Sequence, residues 1–332
     1  MKKIFLIITA SLLFYSCEQK QTIQEYQPPY KVVEGNVIPQ FDGNFAYEMI
    51  KKQVDFGPRN PGSIGHSLAK KFLVDELNKY TGQVIEQSFE YPGYNEKLSL
   101  TNIIGRINPT NKNRIFFCAH WDSRPRAEKD KNETNRTKPI PGANDGASGV
   151  GILIELAKII KENKIDYGVD IIFFDGEDYG EEHDLNNYCL GAKYFAVNKI
   201  ENFNPHFGIL LDLVGDIEAK FYKEGTSLQY AREIVDLVWN LAEKNNASRF
   251  SVFESSPVYD DHIPLNQAGI KTINIIDSDL IGADTGNERR NYWHTQNDDM
   301  RNIGVETLSE VGAVLTKLVY SLQFRNDTSN SK

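Results

Sequence analysis

The chain has 332 residues, 40% of them hydrophobic and 25% charged, with a formal net charge of -9 and a pI near 5.3. That length suits one large α/β domain or two smaller ones. The acidic balance and the lack of any basic block exclude nucleic acid and anionic lipid surfaces as partners.

The chain begins with a targeting signal. Lys2 and Lys3 precede an apolar run from Ile4 to Tyr15, too short to span a bilayer and of signal-peptide length. It ends Leu12-Leu13-Phe14-Tyr15-Ser16-Cys17, which resembles a bacterial lipobox with the cysteine at the cleavage point. Residues 1–16 are then a signal peptide, with the bulk of Phe14 and Tyr15 leaving ordinary secretion open beside lipidation. Residues 17–40 are a lipidated Cys17 followed by a Gln-rich tether with Pro28, Pro29 and Pro39, its later part lying on the domain surface. Such a chain is expected to be extracytoplasmic, on the periplasmic side of a bacterial inner or outer membrane, touching it only through the lipid. The other cysteines, Cys118 in an apolar strand and Cys189 in a loop, make no disulfide framework.

A catalytic domain is expected over residues 41–325. Phe45, Met49, Ile50 and Val54 recur at helical spacing, and that helix stops before the glycine and proline loop at 56–63. Ser63 caps a second helix with the apolar face Leu68, Phe72, Leu73 and Leu77. Residues 83–91 and 97–106 read as a hairpin, and residues 114–119 as a third strand ending in His120-Trp121-Asp122-Ser123. After the polar loop 124–141, Gly142-Ala143-Asn144-Asp145-Gly146-Ala147-Ser148-Gly149 opens a helix whose small residues allow close packing on a sheet. Ile171 to Phe174 is a continuous apolar run, typical of a buried parallel strand, and it stops on Asp175, Glu177 and Asp178. A second such run, residues 208–215, is broken by Asp212. A helix over 227–244, a strand over 271–276 and a closing helix over 305–322 follow. Strands alternating with helices predict a single α/β domain with a twisted, mixed, mostly parallel sheet and helices on both faces.

The strand exits carry the chemistry. His120, Asp145, Glu177 with Asp178, Asp212, Asp260 with Asp261, and His294 all fall at or near them. In an open α/β sheet, ligands bind beyond the carboxyl ends of the strands. Crowded carboxylates there repel one another unless a cation or proton is shared. Carboxylate and imidazole ligands are what zinc takes, and a catalytic zinc site also needs a carboxylate that is not a ligand, to move protons. Adjacent Glu177 and Asp178 supply that division. His66, His183 and His206 read as structural or solvated, and Trp121 and Tyr179 as packing or pocket wall.

The order His120, Asp145-Gly146, Glu177-Asp178, Asp212, His294 resembles the zinc aminopeptidase superfamily that includes the glutaminyl cyclases. Phe56-Gly57-Pro58-Arg59 with Pro61-Gly62-Ser63 also fits it. Leu211-Asp212-Leu213-Val214-Gly215, Asp260-Asp261-His262-Ile263-Pro264 and Trp293-His294-Thr295 are similar to the animal-type glutaminyl cyclases and their bacterial relatives. The resemblance implies one zinc per chain on Asp145, Asp178 and His294, with Glu177 as general acid/base. It also implies Asp212 and Asp260 as paired acids, Trp293 as a substrate wall, and peptides or proteins with N-terminal Gln as substrates, converted to pyroglutamate with release of ammonia. His262 is expected to orient Asp260. Two departures stand out: the second ligand acid is the shorter aspartate, and Ala119 and Val150 replace the cysteine pair of the animal enzymes. Two other readings stay open. In a two-zinc aminopeptidase His120 and Asp212 complete a second metal position; in a non-catalytic lipoprotein the fold only binds.

Overall fold

The computed structural model describes residues 28–325, so the expected signal peptide, Cys17 and the first part of the tether lie outside the described residues. In chain order the elements are β1 (Tyr30–Val32), α1 (Gly43–Asp55), α2 (Ile64–Tyr80), β2 (Gln83–Pro92), β3 (Lys97–Ile107), β4 (Arg114–His120) and α3 (Ala147–Glu162). Then come β5 (Gly168–Phe174), α4 (Leu190–Val197), β6 (Gly208–Asp212), β7 (Phe221–Lys223), α5 (Gly225–Lys244) and β8 (Phe250–Glu254). The chain closes with α6 (His262–Gln267), β9 (Thr272–Ile276), α7 (Val305–Ser321) and β10 (Leu322–Phe324).

The main sheet has the order β2-β3-β5-β4-β6-β9. β2, β3 and β5 pair antiparallel, while β5, β4, β6 and β9 run parallel. Period-two alternation sorts the central side chains. Ile115, Phe117 and Ala119 of β4, with Val169, Ile171 and Phe173 of β5, join the core beneath α1, α2, α3, α5 and α7. Phe116, Cys118, Ile172 and Phe174 face the other way, against Ala192, Phe195 and Ala196 of α4 and Leu265 of α6. Both faces are covered, so the parallel strands read as unbroken apolar runs.

The connection after β4 passes through α3 on one face, and that after β5 through α4 on the other. Neighbouring strands whose connections leave on opposite faces open a crevice at their carboxyl ends. The apolar run at 208–215 ends as a strand at Asp212, because Leu213 takes a left-handed φ of 50°. α4 and α6 are too short for helical periodicity to show in the sequence, yet each begins within two residues of a residue that lines the cavity in the crevice, Tyr188 and Asp260.

The later part of the tether is ordered against the domain. β1 pairs antiparallel with β10, and Tyr30 packs on Phe207 and Phe324. Phe207 lies just before β6, so this docking is at the amino ends of the strands, opposite the crevice.

Candidate active site

Gly146 caps α3, with a φ of 91°; a Cβ there would lie 2.4 Å from the Asp122 carbonyl oxygen and 3.0 Å from the His120 ring. Three residues on, a Cβ on Gly149 would lie 2.5 Å from the Leu211 carbonyl oxygen, so α3 seats directly on the sheet. That contact brings Asp145 against His120 and the end of β6. Backbone N–H groups of Asn144 and Asp145 donate to the two oxygens of Asp298, at 2.9 and 3.1 Å. Asp122 accepts from the backbone N–H groups of Glu177 and Asp178, at 3.0 and 3.2 Å, and fixes the turn after β5.

Two overlapping triads result. The ligand atoms of Asp145, Asp178 and His294 all lie within 4.8 Å of one another, as do those of His120, Asp145 and Asp212. His294 Nε2 is 3.6 Å from Asp145 Oδ2 and 3.4 Å from Asp178 Oδ1. Its Nδ1 faces Glu128 Oε1 at 2.8 Å, and Glu128 is gripped by Arg124 Nε at 2.8 Å from each oxygen. A donor Nδ1–H leaves Nε2 as the coordinating nitrogen. Arg124 also donates to Asp178 Oδ1 at 2.8 Å. The left-handed backbone of His294, φ 55°, is the local strain that aims this ring. The donor set fits zinc: one imidazole and two carboxylates, with Asp145 Oδ2 and Asp178 Oδ2 buried and unpartnered.

His120 Nε2 sits between Asp145 Oδ1 at 3.2 Å and Asp212 Oδ1 at 3.3 Å. Beside the triads, the ligand atoms of Glu177, Cys189 and Asp260 also lie within 4.8 Å of one another. Asp260 accepts from the Asp261 N–H at 2.6 Å and from Asn274 Nδ2 at 2.7 Å.

Crowding is written into the acidities. Burial, and next the Asp178 charge, push Asp145 up to about 6. Burial and then the Asp212 charge push Asp260 up to about 7. Glu177 is raised well above the usual carboxylate range by burial, which outweighs the His120 charge, with help from the Asp178, Asp260 and Asp261 charges. Burial also works on Asp178, but the His294 and Arg124 charges overcome it and hold that carboxyl below its ordinary value. Glu128 follows the same logic, brought down to about 2 by His294 and Arg124 against burial.

A cavity of about 860 Å³ opens over these groups, lined by Asp145, Glu177, Asp178, Asp212, Asp260 and His294 among others. Trp293 is part of its wall and stacks on His294 with ring centroids 3.3 Å apart. Of the nine residues expected to build the site, all but His262 therefore meet at one crevice. His262 points elsewhere: its Nε2 pairs with Glu224 Oε2 at 3.1 Å, and Asn274, not His262, is the side chain that holds Asp260. Trp121 is fully buried, stacked on His66 and donating to the Thr101 carbonyl; Tyr179 packs with Phe89, Leu98 and Leu190. His66 pairs with Asp175 at 2.9 Å, a structural role. The sequence reading missed Arg124, Glu128 and Asp298, polar loop residues more than fifty positions from what they support. Cys118 and Cys189 are both buried and free.

Residues 102–319 match peptidase family M28. The crystal structure of Bacteroides thetaiotaomicron glutaminyl cyclase bound to N-acetylhistamine superposes with a TM-score of 0.81 at 39% identity, covering 86% of this chain and 99% of that one. A Bacteroides thetaiotaomicron VPI-5482 structure described as a leucine aminopeptidase precursor superposes with a TM-score of 0.80, also at 39% identity, over 86% of this chain and 98% of that one. The glutaminyl-peptide cyclotransferase of Drosophila melanogaster is 25% identical over 289 residues, 78% of this chain and 75% of that protein.

Proposed function

The chain belongs to peptidase family M28, and we propose that its crevice converts the N-terminal glutamine of peptides to pyroglutamate, releasing ammonia. It is a zinc-dependent glutaminyl-peptide cyclotransferase, similar over nearly its whole domain to bacterial and animal enzymes of that name. The observation that carries this reading is Glu177 within 4.8 Å of Asp260 and next to the Asp145–Asp178–His294 triad, all lining one cavity. A proton-moving carboxylate thus stands between a metal triad and a second acid.

Asp145, Asp178 and His294 would hold one zinc, which supplies Lewis-acid polarisation of the γ-carbonyl oxygen. The reaction is internal: the α-nitrogen bonds to the γ-carbon and the bond from that carbon to the amide nitrogen breaks. Because nucleophile and target share one residue, positioning supplies much of the rate. Glu177 takes the proton of the attacking amine and delivers it to the leaving nitrogen, since ammonia leaves far more readily than an amide anion. Asp212 and Asp260 line the same cavity and would accept a hydrogen bond from the departing group. Trp293 packs on the glutamine's aliphatic arm and keeps water from the γ-carbon.

One observation favours a second reading, a two-zinc aminopeptidase: His120, Asp145 and Asp212 form a complete second triad. Glu177→Gln tests the proposed acid/base. It should retain zinc and lose about a hundredfold or more in ammonia release from a Gln-initiated peptide. Full ammonia release by this variant contradicts the role.

We further propose that the protein is extracytoplasmic and held to a membrane by a lipid on Cys17. The support is the Lys2-Lys3 start, the apolar run and the lipobox-like end at Cys17. Cys17→Ser should release the protein from membranes; a variant that stays membrane-bound contradicts the anchor.

A further inference from the structure

Cys189 stands beside Glu177 and Asp260, and neither the reaction nor the zinc triad uses it. Its Sγ lies 3.3 Å from Glu177 Oε1, and among the described residues this thiol is the one side-chain donor to the Glu177 carboxylate. Its place is unusual. Cys189 caps α4 with a left-handed backbone, φ 55° and ψ 36°, which costs a residue bearing a Cβ about a kcal/mol. A glycine would adopt that conformation freely, so the side chain is retained against a backbone preference.

The segment carrying it is pinned to the turn that carries Glu177. Three successive backbone N–H groups, of Cys189, Leu190 and Gly191, donate to the carbonyl oxygens of Glu177, Gly176 and Asp175 at 2.8, 3.1 and 2.8 Å. A Cβ on Gly191 would lie 2.3 Å from Asn102 Oδ1 and 2.6 Å from the Asp175 nitrogen, so the two segments touch without slack. The thiol and the carboxylate therefore cannot drift apart by loop motion alone. Burial, and next the Glu177 and Asp261 charges, hold the Cys189 thiol well above its ordinary value, so it stays a neutral S–H donor.

We propose that Cys189 is a positioning residue for the cyclisation: its S–H ties down Glu177 Oε1 and so presents Oε2 to the substrate's amine and leaving nitrogen. The job suits a thiol. A Lys or Arg in this place would form an ion pair with the carboxylate and compete for its proton-accepting role, whereas S–H is a weak donor that orients it. The consequence falls on turnover, because an unrestrained Glu177 samples other rotamers without altering the zinc triad or the Trp293 wall that bind substrate.

This inference rests on Glu177 being the acid/base, and the experiment separates the two. Purified, zinc-loaded Cys189→Ala, Cys189→Ser, Cys189→Gly and Glu177→Gln, with the Glu177→Gln/Cys189→Ala double variant, are compared with wild type for kcat, KM, zinc content and Tm. Cys189→Ala should lose about tenfold in kcat, the scale of one modest hydrogen bond, with KM within about twofold. Cys189→Ser keeps a donor and should recover most of that loss. Cys189→Gly removes the thiol together with the left-handed strain, so its kcat should fall as far as that of the alanine variant while its Tm stays above it. The double variant should be no slower than Glu177→Gln alone, because the thiol acts only through that carboxylate. Equal kcat for wild type and Cys189→Ala while Glu177→Gln is impaired overturns this inference and leaves the acid/base intact. So does a serine variant no better than alanine, or a loss that tracks Tm across the series. Full activity in Glu177→Gln overturns both readings together.

Discussion

The two ends of β5 carry buried carboxylates under opposite regimes. At its amino end Asp170 accepts from Arg106 Nε at 2.9 Å and from Arg114 Nε and Nη2 at 2.7 Å each, and no oxygen is left over. Beyond its carboxyl end Asp178 has one oxygen on Arg124, while Oδ2, like Asp145 Oδ2 and both oxygens of Asp261, is buried with no partner. Buried polar atoms in folded proteins are almost always satisfied, so a cluster of orphans marks where another species belongs. One strand thus carries a fully paired acid near one end and, just past the other, an acid left with an unpaired oxygen.

Substitutions at the two ends should separate stability from chemistry. The largest effect is expected at the site: His294→Ala should cost most of the bound zinc and with it the activity, read by metal analysis after gel filtration; full zinc occupancy would remove His294 from the ligand set. At the amino end, Asp170→Ala strands two buried guanidinium groups and should destabilise the fold by about 3–5 kcal/mol in urea titration. The molecules that remain folded should bind zinc normally. Glu128→Ala lies between these extremes. It removes the acceptor for His294 Nδ1 and should weaken zinc affinity by roughly 10–100-fold in chelator competition, with a small stability cost.

Glu224 shows the structural regime at a third place, and pH exposes it. Burial raises this carboxyl, but the His262 contact, the Thr226 N–H and the Ser227 hydroxyl outweigh burial and bring it down to about 2 from 4.5. A depressed acid stabilises the fold above its unfolded pKa, and the contribution fades as pH falls from about 4.5 toward about 2. Glu224→Gln should therefore cost about 3 kcal/mol at pH 7, and the gap to wild type should narrow clearly at pH 3.5. A gap independent of pH would mean that Glu224 acts by shape alone.

Much of the site was legible because apolar runs announce their own ends. Phe174 gives way to Asp175, Leu211 to Asp212, and Ala119 to His120, and a parallel strand that stops on an acid or imidazole delivers it to the crevice. Glu128 and Asp298 carried no such mark. Each lies in a polar loop, and each reaches its partner across more than 150 positions, which local pattern does not encode. Trp121 was open to a pocket reading, yet strand parity places it with Ile115, Phe117 and Ala119 on the α3 face, away from His120. His262 sat two residues from Asp260, but α6 begins there and its first turn carries the ring to Glu224. The segment at 30–32 gave no strand signal either, since three residues gain their pairing only from β10.

The claim that the molecule is a one-zinc cyclase rather than a two-zinc peptidase is tested most directly by substrate choice at known metal content. Zinc-loaded protein is given a Gln-initiated and a Leu-initiated peptide of otherwise identical sequence, and products are followed by mass spectrometry and ammonia release. The account predicts one zinc per chain, one ammonia per Gln peptide converted to its pyroglutamyl form, and an intact Leu peptide. Efficient release of free leucine by protein holding two zinc ions per chain would contradict it.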